Sequence, residues 1–138
     1  MAEAASSSPQ AWGLPLDSAL ALDAKAHAGV AWARVAAFVA DTGLTEQQVM
    51  RACGVPASTW ARRKKAGALD SEASDRYLRL VRLFLHASRV LVDIEAARAW
   101  MQRPEPSLDG RTPLSLAETT FGAEAADAAL GRLEHGVY

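Results

Sequence analysis

The chain has 138 residues, half of them apolar, one cysteine and a formal net charge of −1. That length suits one domain or two very small ones around a shared core, and the apolar fraction excludes a disordered chain. A single cysteine excludes an internal disulfide and points to a reducing cytoplasm. No signal peptide is legible, and no apolar run is long enough to span a bilayer.

The small net charge hides segregation. Residues 1–45 carry two basic and four acidic side chains, a net of −2. Residues 46–90 carry nine against four, a net of +5, and residues 91–138 carry four against eight, a net of −4. A basic middle beside an acidic end suggests two different partners, the first of them nucleic acid.

In chain order, residues 1–16 are rich in Ala, Ser and Pro and read as an unstructured tail, with Trp12 and Leu14 able to dock on the body. Asp17 or Ser18 caps a short helix through His27 that breaks at Gly29. A second helix is expected from Val30 to about Asp41, with Trp32, Val35, Phe38 and Val39 at helical spacing and Gly43 ending it. Thr45 and Gln48 form a capping box for a helix to Cys53, which stops at Gly54. Pro56, at a first-turn position, opens a helix to Gly67.

Asp70 or Ser71 caps the longest helix, to about Leu91, whose stripe of Tyr77, Leu80, Val81, Phe84 and Leu85 marks a central core element. Asp93 caps a helix carrying Ile94, Ala97 and Trp100, which Pro104 and Pro106 terminate in an extended link. Thr112 and Pro113 start a short helix, and Gly122 breaks the chain before a last helix from Ala123 to about His135. Every segment reads helical, so the fold class is all-α: a helical domain over 17–91 and a small module over 92–138.

Residues 44–67 have the form of a helix–turn–helix, with Gly54 in the turn and the second helix placed to enter a major groove. On a helical wheel Ser58, Arg62 and Lys65 share one face with Thr59 at its edge, while Trp60 lies opposite as an anchor to the core. Those side chains suit phosphates and a guanine edge. Arg63 falls close to Trp60, so it must snorkel or pair with an acid. The plain alternative is a basic run that is only a solvated face, with the unit kept as scaffold.

No catalytic constellation is visible. His27, His86 and His135 are scattered, without acidic neighbours at metal-ligand spacing. Glycine-rich phosphate loops are absent, and Cys53 sits in an apolar stripe as an inert thiol. The expectation is no enzyme, no metal and no cofactor.

The runs Gly43-Leu44-Thr45, Ala52-Cys53-Gly54-Val55-Pro56-Ala57-Ser58-Thr59-Trp60-Ala61-Arg62-Arg63, Leu69-Asp70-Ser71-Glu72-Ala73-Ser74-Asp75-Arg76 and Arg79-Leu80 resemble the Xre-like half of Xre/MbcA/ParS antitoxins. Ala97, Trp100, Pro104, Leu108-Asp109-Gly110, Pro113-Leu114, Gly122 and Leu130-Gly131-Arg132-Leu133-Glu134-His135-Gly136-Val137-Tyr138 resemble that family's toxin-binding domain, so the likeness covers about residues 30–138.

The resemblance implies an all-helical, cytoplasmic type II antitoxin whose partner is a RES-domain toxin that degrades NAD or uses it to modify a target. Such antitoxins form homodimers, block the toxin's active site through the C-terminal domain, and repress their own operon. DNA contact then falls to Ser58, Thr59, Arg62, Arg63, Lys64 and Lys65. Toxin contact falls to Trp100, Leu108, Pro113, Leu114, Arg132, His135, Gly136, Val137 and Tyr138.

Within the second set, Trp100, like Leu133, suits the module's own core better than a partner. Gly136, Val137 and Tyr138 suit a plug in the toxin's pocket, where glycine permits close backbone approach and the tyrosine fills a nucleotide site. Two other functions stay open: a stand-alone transcriptional regulator, and a toxin inhibitor whose helix–turn–helix does not touch DNA.

Overall fold

The computed structural model describes residues 9–14 and 18–136. Among them are eight α-helices, two 3-10 turns and no strand beyond two isolated bridges. The rest of the tail expected over 1–16, the Asp17 cap, and Val137 and Tyr138 lie outside the described residues.

Within 9–14 the chain is an ordered 3-10 turn, Pro9–Trp12, rather than loose tail. Trp12 is fully buried, meeting Phe38 and Phe84 edge-on at 5.2 and 6.2 Å between ring centroids. Its indole N–H donates to Asp41 at 2.7 Å, and its carbonyl accepts from the Tyr77 hydroxyl at 2.7 Å. With both polar groups satisfied, the ring's apolar area is buried without an orphaned donor.

Ser18 caps α1 (Ala19–Ala28) through the Ala21 N–H. The next helix, α2 (Trp32–Thr42), begins two residues later than the apolar spacing suggests. Gly29, at φ +88, turns the chain out of the helical path. Val30 and its neighbours then direct their backbone groups elsewhere: Leu69 N–H donates to the Val30 carbonyl, Trp32 N–H to that of Gly67, and Val30 N–H to Ser74 Oγ. The spacing identifies the helix, but these long-range bonds fix where it starts.

In α3 (Glu46–Ala52) the capping box forms as expected, with Gln48 N–H donating to Thr45 Oγ1 at 3.0 Å and Gln48 Oε1 accepting from Thr45 N–H at 2.9 Å. The turn passes through Gly54 at φ +65. Pro56 is the extended cap of α4 (Ala57–Ala66) rather than a first-turn residue; its carbonyl accepts the first helical bond, from Trp60 N–H. Gly67 ends α4 in the left-handed conformation.

Asp70 caps α5 (Ser71–Val90), whose 20 residues form the spine of the molecule. Both halves of the chain pack on it, α1 and α3 from one side of the sequence, α6 (Ile94–Met101) and α8 (Thr120–Glu134) from the other. That is why Tyr77, Leu78, Leu80, Val81, Leu83, Phe84, Leu85 and Ala87 are all buried, more than one stripe of an amphipathic helix supplies.

After α6 the chain does not run as an extended link. Glu105 N–H donates to the Arg111 carbonyl, and the Glu105 carbonyl accepts from Leu108 and Gly110, closing a loop around the Pro106–Leu108 3-10 turn. Leu108, in that turn, is buried where the turn packs on the last helix. Thr112 caps the short α7 (Pro113–Leu116).

Gly122 does not break the chain: it lies in the first turn of α8, which Thr119 caps by accepting the Gly122 N–H at 3.0 Å. A Cβ at Gly122 would run into the Leu116 carbonyl oxygen, so the glycine serves close packing of α8 on the end of α7.

Candidate functional site

Helix α4 presents the face drawn from the wheel. Ser58, Arg62 and Lys65 are exposed, Thr59 is half-buried at the edge, and Trp60 is buried opposite. Trp60 packs edge-on against Trp32 at 5.0 Å and donates its indole N–H to Glu46 Oε2 at 2.9 Å. Glu46 belongs to α3, so this bond fixes the angle between the two helices of the motif. The Trp60 N–H holds the Glu46 carboxyl below its ordinary range against partial desolvation, with help from Lys64.

The basic run divides by role. Lys64 Nζ lies 3.2 and 3.4 Å from the two Glu46 oxygens and 5.5 Å from the centre of the Trp32 ring. Arg63 neither snorkels free nor meets an acid: its Nε donates to the Ala68 carbonyl at 3.1 Å, tying down the connection to α5. Arg62 and Lys65 are exposed with no hydrogen bond or ion pair among the described residues.

Arg76 joins the site without any sign of it in the sequence. From α5 its guanidinium donates to the Cys53 carbonyl at 3.3 Å and would sit 3.2 Å from a Cβ at Gly54, so it braces the turn. Nothing local to Arg76 signals that contact across 23 residues.

The C-terminal module separates residues that build from residues that present. Trp100, Leu108 and Pro113 are buried, and Leu114 and Leu133 are half-buried. The Trp100 indole nitrogen has no acceptor among the described residues. Arg132, His135 and Gly136 are exposed at the end of α8. A Cβ at Gly131 or Gly136 would meet nothing within 4 Å, so neither glycine is required by packing inside the chain. Two large apolar side chains on this half are also exposed, Val92 at 86% and Phe121 at 84%.

Two side chains of α5 fasten α8 and its approach. Arg79 donates to the carbonyls of Ala117 and Glu118 at 3.3 Å each, and its Nη1 is 3.4 Å from Thr120 Oγ1. These are carbonyls that the end of α7 leaves free. Further along, His86 contacts Asp127 and Glu134. Sequence spacing gives His86 no acidic neighbour; the fold supplies two. Among the described residues no group of three or more His, Cys, Asp or Glu side chains is arranged to hold a metal ion. No helix among them is long and apolar enough to cross a membrane.

Comparison with known proteins meets this architecture at both halves. Residues 21–82 match the antitoxin Xre-like helix–turn–helix domain. Residues 86–136 match the antitoxin Xre/MbcA/ParS C-terminal toxin-binding domain. An Antitoxin Xre of Yersinia enterocolitica serotype O:8 / biotype 1B is 36% identical over 97 residues, which is 69% of this chain and 66% of the relative. An Antitoxin Xre of Photorhabdus laumondii subsp. laumondii is 33% identical over 91 residues, 64% of this chain and 62% of the relative.

The chain thus spans slightly less than two thirds of the length of these curated relatives. The first matched domain contains α4 and its exposed basic face, and the second contains α6, the Glu105–Arg111 loop, α7 and α8. The chain therefore belongs to the Xre/MbcA/ParS antitoxins, a non-enzymatic family, with the helix–turn–helix first and the toxin-binding domain second.

Proposed function

We propose that this antitoxin acts in the cytoplasm as a homodimer, neutralises a RES-domain toxin that consumes NAD, and represses its own operon through α4. The observation that carries the reading is the exposed end of α8 within the matched toxin-binding domain. Arg132, His135 and Gly136 stand clear of the module's core there and lead into Val137 and Tyr138. Leu108 and Pro113 lie in the 3-10 turn and short helix that pack on α8, Trp100 is buried in α6, and Leu114 is half-buried.

The acidic balance of residues 91–138 suits a toxin pocket made to receive phosphates. Co-expression with the RES-domain toxin should yield a stable complex on purification; separate elution of the two proteins would remove the basis for this function.

Operator binding falls to Ser58, Thr59, Arg62 and Lys65, with Lys64 and Arg63 positioning α4 rather than touching phosphate. Replacing Arg62 and Lys65 by alanine should weaken binding and flatten its salt dependence, by about 0.9 in log–log slope for each phosphate no longer neutralised. A second reading, inhibition without DNA contact, draws on the engagement of Lys64 by Glu46 and of Arg63 by Ala68, which leaves few free cations on this helix. Unchanged operator affinity and salt slope in the double variant would favour it.

A further inference from the structure

Both ring nitrogens of His86 face carboxylates of one helix. Nδ1 lies 2.6 Å from Asp127 Oδ1, and Nε2 lies 3.4 Å from Glu134 Oε1. The two acids are seven residues apart on α8, two turns along one face, so the imidazole spans the second half of that helix. The His86 side chain is 18% exposed, whereas those of Asp127 and Glu134 are 59% and 52% exposed. A sheltered ring thus holds two carboxylates that would otherwise point into water.

The chemistry of the ring makes this contact depend on a proton. A neutral imidazole has one N–H and can donate to one carboxylate, leaving a lone pair against the other; the imidazolium donates to both. The groove around the ring is lined by Arg79, Arg82 and Arg89 from α5 and by Glu124 and Asp127 from α8, while Leu14 is the N-terminal turn's contribution. Arg79 is occupied by the carbonyls at the end of α7 and by Asp75. Arg82 and Arg89 disfavour another cation and Glu124 favours one, but Asp127 and Glu134 touch the ring itself and interact with it most strongly.

The remaining hold on this stretch is largely small: Ala126 and Ala129 are buried beside Leu130, and Leu133 is only half-buried. Arg79 secures the start of α8, and His86 is the polar tie on the half that ends at His135 and Gly136.

We propose that His86 is a protonation-dependent clamp on α8, a positioning residue that fixes the end of the helix from which the toxin is engaged. Its consequence for the toxin rests on the function proposed above; the clamp itself does not. The doubly protonated ring bonds both carboxylates and the neutral ring only one, so the docked helix is held more firmly by the imidazolium.

The test is amide hydrogen exchange along α8 in the free full-length chain, corrected for intrinsic rates, at about pH 6 and about pH 8. Protection of the amides between Asp127 and Glu134 should be several-fold higher at the lower pH. The difference should vanish in His86→Gln and shrink in Glu134→Gln. Exposed His27 and His135 remain in both variants, so a pH difference that survives His86→Gln overturns the clamp. Were His86→Gln to unfold, a Glu134→Gln profile identical to the natural one would do the same.

Affinity for catalytically inactive toxin, measured at the same two pH values, should follow the exchange. Affinity that ignores pH while exchange responds overturns the link to toxin engagement. Absence of any complex at either pH counts against the proposed function instead, and leaves the exchange result to decide the clamp.

Discussion

Cys53 closes the first helix of the helix–turn–helix with its thiol fully buried, and burial pushes that thiol from 9.0 up to about 12, partly opposed by Arg76 and Arg79. Tyr77, beneath the Trp12 carbonyl, is pushed up for the same reason, with Cys53 adding to the effect and Arg34 opposing it. For both groups the folded state holds its proton longer than the unfolded state. Their contribution to stability is therefore intact at neutral pH and falls as pH rises above about 9. Cys53 should resist a thiol reagent at pH 8 in the native chain and react at once in denaturant. Labelling at similar rates in both conditions would mean that the helix–turn–helix opens readily at this position.

Among the helices, the ends are legible where the signal is local. Thr45 with Gln48, and Asp70, Asp93 and Thr112 as caps, all sit within three residues of the amides they satisfy. The apolar stripe of α5 is equally plain. The ends that differ from expectation are decided from afar or by close packing: Val30 by the 67–69 connection, the 105–111 loop by its own closure, and Gly122 by the Leu116 carbonyl. A glycine inside the first turn of a helix looks like a breaker in sequence and acts as a packing residue in the fold.

Gly122→Ala, harmless by helix propensity, should therefore destabilise the chain by about 1–3 kcal/mol through overpacking against α7. A denaturant midpoint equal to or above that of the natural chain would show that the α7–α8 contact yields instead.

Across the molecule, α5 joins two surfaces of opposite character. Through Arg76 it braces the basic helix–turn–helix, and through Arg79 and His86 it fixes the acidic C-terminal module. The charge division, +5 over residues 46–90 and −4 over 91–138, is visible in the sequence and gives the first hint of two partners. The exposed faces of α4 and of the end of α8 are visible there too. Which cations stay free is not, because Lys64 and Arg63 are taken up by Glu46 and Ala68, contacts that exist only after folding.

On the function proposed for this chain, toxin inhibition resides at the end of α8. The direct measurement is NAD consumption by the purified toxin, titrated with the full chain and with a variant lacking residues 136–138. The full chain should abolish turnover at saturation, while the shortened chain should still bind operator DNA and leave most of the toxin's activity. Full inhibition by the shortened chain at the same concentration would contradict that assignment and move the blocking contact to another surface of the module.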